Sequence, residues 1–103
     1  MSGFYAFGRL HEAMKGLQGV MRDALEGLVS GDAGQITRSA AMIDEELARA
    51  GEGLDVPPGD EDVVAQELSA VRHEARLMLA AAQRQQFTQA HRSFASITAR
   101  CMQ

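Results

Sequence analysis

Residues 60–82 read DEDVVAQELSAVRHEARLMLAAA. Within this stretch Val64, Leu68, Val71, Ala75, Met78 and Ala82 recur at alternating intervals of four and three. That interval collects side chains on one side of a chain that turns once every ~3.6 residues, so the stretch predicts a helix with one apolar stripe. Asp60 is placed to cap its N-terminus, with Glu61 and Asp62 complementing the positive end of the helix dipole.

The same pattern repeats on either side. Upstream, Ile36, Ala40, Ile43, Leu47 and Ala50 mark a second stripe, ending at a Gly51–Gly59 loop that carries Pro57 and Pro58. Before it, Leu10, Met14, Leu17, Met21, Leu25 and Leu28 predict a first helix from about Phe4 to Val29. Gly16, Gly19 and Gly27 weaken that helix, or let a neighbouring helix or flat ligand approach it. Gly31 suits a left-handed C-terminal residue and Asp32 the next N-cap. Downstream, after a weak break at Ala82–Gln86, Phe87, Ala90 or His91, Phe94, Ile97 and Cys101 form the fourth stripe.

Four stripes joined by two short connections and one medium loop predict an all-α, antiparallel up-down-up-down four-helix bundle, with residues 1–103 as one domain. Abundant Ala and Met, one Tyr, four Phe and no Trp agree with helices rather than strands. In this topology the first and fourth helices are antiparallel, which puts Met14 level with the last turn or two of the fourth helix, where Cys101 falls.

A net charge of −4 argues against a nucleic-acid surface. No apolar run approaches the ~18 residues of a membrane span, and Met1-Ser2-Gly3-Phe4-Tyr5 is not a signal peptide. A single cysteine excludes an internal disulfide. The acidic residues Asp44, Glu45, Glu46, Glu61, Asp62 and Glu67 lie off the stripes and read as a solvated face. A di-metal carboxylate site would need Glu-x-x-His on two helices, which the second and third helices lack. No Ser-His-Asp or Cys-His arrangement is indicated, so an enzyme is not expected.

The chemical signal sits at the C-terminus. Cys101-Met102-Gln103 has the form C-x-x, the opening of the C-x-x-C-H motif in which two thiols add to haem vinyls and the histidine binds iron. Met14-Lys15-Gly16-Leu17-Gln18-Gly19-Val20-Met21 near the start, and Ser93-Phe94-Ala95-Ser96-Ile97-Thr98-Ala99-Arg100-Cys101 near the end, together resemble the cytochrome c′-like family of four-helix-bundle c-type cytochromes. The resemblance implies haem c between the first and fourth helices, attached through Cys101 and caged by Leu10, Leu17, Phe94 and Ile97. It further implies Met14 as an axial iron ligand, as in low-spin members. It implies a periplasmic protein that passes electrons to a redox partner or binds a small diatomic gas. The second Cys, the His and the basic residue that follows them in the family are not in this sequence, and the loop between the second and third helices is compact for the family. The chain therefore reads as truncated within the haem-attachment motif.

Two other readings stand beside this one. Met14, Met21 and Cys101 also suit ordinary core positions, which would make the chain a haem-free interaction or sensory bundle, dimeric through its helix faces and cytoplasmic. His91 on the core side of the fourth helix, with a Met, would give a b-type haem site. It lies ten residues before Cys101, about 15 Å along the helix, and so at the wrong level to share a haem with Met14. His11 and His73 fall beside charged residues and read as solvated.

Overall fold

The computed structural model describes residues 15–53, 59 and 61–101. Four helices follow in order: α1 (Gln18–Ser30), α2 (Ala33–Gly53), α3 (Glu61–Gln83) and α4 (Phe87–Cys101). Each packs on the next in the chain, and α1 meets α4 to close an antiparallel four-helix bundle. The core is one cluster built from Leu17 and Ala24, from Ile36, Ala40, Ile43 and Leu47, from Val71, Ala75 and Met78, and from Ala90 and Ile97. Alanines at so many central positions allow the helix axes to approach closely without leaving voids.

The stripes of α2 and α3 lie where the sequence puts them, with Ala50 and Leu68 at their half-buried edges. On α4 the alternative between Ala90 and His91 resolves to Ala90, which is fully buried while His91 is exposed. On α1 the register is rotated from the expected one. Ala24 and Gly27 are buried, Met21 and Leu28 are half-buried, and Leu25 faces outward. The reason is Gly27. A Cβ there would lie 2.9 Å from Ile36 Cγ1 and 3.2 Å from the Ile36 backbone nitrogen, so α1 presents its barest position to α2 and turns Leu25 away.

A further departure is at the start of α1. The expected continuous helix is interrupted by a turn at Gly16–Leu17, and the Met21 N–H donates to the Leu17 carbonyl at 2.8 Å to open α1. Glycine's low helix propensity at positions 16 and 19 suits a break here. Residues 4–14 of the expected first helix, with Leu10, His11 and Met14, lie outside the described residues, as does the expected cap Asp60. Helix α2 also runs further than expected, through Gly51 to Gly53. Gly51 is packed against Leu68, whose Cδ1 would be 3.1 Å from an added Cβ, and this contact anchors the last turn.

The two short connections share one chemistry. After α1, Gly31 is left-handed and the Asp32 N–H donates to the Gly27 carbonyl at 2.9 Å. Asp32 then accepts from the Gln35 N–H at 3.0 Å and caps α2. After α3, Gln85 takes the left-handed position with φ 57°, and the Gln86 N–H donates to the Ala81 carbonyl at 2.8 Å. Both are helix stops in which a left-handed residue returns an N–H to an orphan carbonyl, but the second is made without glycine.

These differences predict measurable stabilities. Gln85→Gly relieves the Cβ strain of a left-handed residue and should raise stability by about 0.5–1 kcal/mol in thermal or urea unfolding. Gly19→Ala, at an exposed position where a Cβ meets nothing within 4 Å, should also stabilise, by about 0.5–1 kcal/mol. Gly27→Ala should destabilise by about 1–3 kcal/mol despite alanine's better propensity. Equal effects at the two glycines would contradict the close approach of α1 and α2.

Candidate functional site

Antiparallel order puts the N-terminal end of α1 and the C-terminal end of α4 at the same end of the bundle, alongside the connection between α2 and α3. The level of the α4 end is fixed by an ion pair. Arg100 donates to Glu67, near the start of α3, at 3.3 Å. That contact puts α3 on one edge of the α4 stripe. Phe87 and Phe94 lie on the opposite edge by the helical repeat, the side of α1. On α1, Gly27 marks the α2 side, so Met21 and Leu28 fall on the α4 side.

The seam between α1 and α4 is therefore flanked by large, half-buried apolar side chains, all packed against the core cluster. Among the described residues it is also the thinnest of the four seams, because α1 and α4 touch less extensively than the other neighbouring pairs. Of the residues expected to cage a ligand, Leu17 and Ile97 are buried in the same cluster and Phe94 is half-buried against it. Leu10 and Met14 lie outside the described residues, so the expected level match between Met14 and Cys101 is not among the described contacts. Cys101 is the last residue of α4, and its side chain is likewise outside the description. In register it falls one turn beyond Ile97, continuing the stripe of Ala90 and Ile97.

These residues form an apolar wall at one end of the α1–α4 seam. They do not supply a histidine ligand. Both His73 and His91 are exposed, which removes the b-type site built on a core-facing His91. Among the described residues no three His, Cys, Asp or Glu side chains gather to hold a metal ion, and no helix is long and apolar enough to cross a membrane.

The acidic residues are not uniformly solvated, as the sequence suggested. Asp44 is half-buried between α2 and α3, accepts from Arg72 Nε at 2.8 Å and has Arg76 Nε at 4.0 Å. Glu67 is tied to Arg100. Glu46 pairs with Arg49 within its own helix, and Glu45 and Asp62 are exposed. The pairs of Asp44 and Glu67 cross between helices, and neither follows from spacing within one helix.

The geometry ranks the three close pairs. Double-mutant cycles should give the largest coupling for Asp44–Arg72, about 1 kcal/mol, and less for Glu67–Arg100. The exposed Glu46–Arg49 pair should couple by only about 0.2–0.5 kcal/mol and lose most of that in high salt.

Compared with protein-family models, curated proteins and solved structures, the chain matches none.

Proposed function

We propose that this chain is the haem-holding bundle of a cytochrome c′-like protein that works in the periplasm. The haem c would sit between the end of α4 and the segment that leads into α1. The observation that carries the reading is the register of Cys101, one turn past the fully buried Ile97 at the end of α4. The thin seam between α1 and α4, flanked by Phe94 and Met21, supports it as a place where an apolar ring can lie.

The roles of the chain's residues follow from their chemistry. Cys101 would hold the haem covalently through its thiol. Leu17, Phe94 and Ile97, with Leu10, would exclude water from it. Met14 would offer its thioether sulfur to the iron. The haem, when bound, would supply a metal that changes oxidation state and binds small ligands. With Met14 holding the iron, the function would be electron transfer to a redox partner protein. Without it, the function would be binding of a small diatomic gas. The second reading is a haem-free interaction or sensory module, favoured by the exposed apolar residues Leu25 and Val29 on α1.

Intact mass and a visible spectrum separate the two readings. The chain would be produced in a host that matures c-type cytochromes, both as it stands and extended by Cys-His after Gln103. The haem reading expects the extended protein to gain the mass of one haem and a c-type spectrum, and Met14→Ala to convert the low-spin bands to high-spin. An extended protein with the mass of the polypeptide alone and no Soret band would refute it. A Soret band without added mass would refute attachment through Cys101.

A further inference from the structure

A groove of about 330 Å³ runs along the α2–α3 seam, across the bundle from the α1–α4 seam. That volume is at the lower end of the range for small-molecule sites. The groove exists because the residues on its rims are short, Ala48 and Gly51 on α2 and Ala65 and Ser69 on α3. Half-buried Leu68 packs against Gly51 and gives this end an apolar floor. Arg72 and Arg76, one and two turns beyond Ser69, line the other end.

The two arginines share one carboxylate. Arg72 Nε donates to Asp44 at 2.8 Å, while Arg76 Nε lies 4.0 Å from the same oxygen and 3.4 Å from the Arg72 carbonyl. Two positive charges against one negative leave one positive charge in excess, in a chain whose net charge is −4. The Nη groups of both arginines have no hydrogen-bond partner among the described residues. Ser69 and Arg76 also border a second depression on the outer face of α3, which His73 lines, so further donors gather at this end. Asp62 is on the same face but ten residues before Arg72, about 15 Å along the axis. Glu45 is exposed and stands about 100° further round α2 than Asp44.

We infer that this groove binds a small amphipathic carboxylate, its head between Arg72 and Arg76 and a single short apolar chain lying toward Gly51 and Ala65. This holds whether or not the protein carries haem. The planar fork of a guanidinium matches a carboxylate, and one excess positive charge matches a monoanion better than a doubly charged phosphate. From Asp44 to Gly51 the groove extends seven residues, about 10 Å, which fits one short chain and not the two chains of a membrane lipid. Methylenes laid over Leu68 and the small rim residues leave water, so head and chain each contribute to binding.

Amide chemical shifts of the full chain, titrated with sodium octanoate to about ten millimolar, test this. Saturable shifts should centre on residues 48–51 and 65–76, with a Kd of about one millimolar or tighter. Acetate, which is the head alone, and octanol, which lacks the charge, should each bind about tenfold more weakly or less. Arg76→Ala removes a side chain that is 59% exposed, and Ala65→Leu fills the groove from an exposed position, so both should fold normally. Each should weaken octanoate about tenfold, whereas Arg92→Ala on the exposed face of α4 should change nothing. No saturation by ten millimolar overturns the proposal. So does acetate binding as tightly as octanoate, which would make the site one for an adventitious ion only. Shifts centred on Met21 and Phe94 in the α1–α4 seam, or binding indifferent to Arg76→Ala and Ala65→Leu, overturn it as well.

Discussion

The bundle depends on the apposition of α2 and α3. These are the longest helices, they make the most extensive contact, and their stripes contribute most of the fully buried side chains. Ile36, Ile43, Leu47, Val71 and Met78 supply the volume, while Ala40, Ala75 and Ala82 let the axes come together. Asp44 reaching across to Arg72 fixes the relative height of the two helices at their half-buried edge. The flanking helices are added to this pair through short connections. The Gly27–Ile36 approach sets α1 against α2, and the Gln85 turn together with Arg100–Glu67 sets α4 against α3.

How much of this was legible depended on how much hydrophobic signal each helix carries. In α2 and α3 the buried positions are occupied by Ile, Val, Leu and Met at helical spacing, so the stripe and the core coincide. In α1 two of the buried positions are Ala24 and Gly27, which carry almost no signal, while Leu25 and Leu28 lie at or beyond the edge. Periodicity alone then chose the wrong centre for the stripe. It was corrected by a steric fact, the approach of Ile36 to a bare Cα, that no single-helix pattern contains. The interhelical pairs of Asp44 and Glu67 were hidden for the same reason, because an acidic residue off the stripe looks identical whether it faces water or an arginine on the next helix. His91 stood one place from Ala90 on a stripe whose edge could not be drawn more finely than one residue.

The candidate site was legible only as a register. Counting along α4 from Phe87 identified Cys101 as the continuation of the core stripe, and the helix does reach Cys101. Leu17 and Ile97 are buried and Phe94 is half-buried against the same core. The thinness of the α1–α4 seam could not be read from sequence, because it follows from the rotation of α1 toward α2. A helix that turns its small residues to one neighbour necessarily turns its larger ones toward the other.

That asymmetry ties the stability of α1 to whatever binds it. Among the described residues, helix α1 has one extensive neighbour, α2, and one slight one, α4, and at 13 residues it is too short to be stable as an isolated helix in water. Its stability therefore comes from docking against its neighbours. An apolar ligand in the α1–α4 seam would add contacts to its inner edge. Such a ligand would bind the docked form and not the detached one, and so would raise the free energy of detachment by mass action. What docking costs its affinity is set by how often α1 is undocked in the bare chain. Hydrogen exchange of the α1 amides reads this population directly, and amides of α2 and α3, protected at the level of global unfolding, provide the reference.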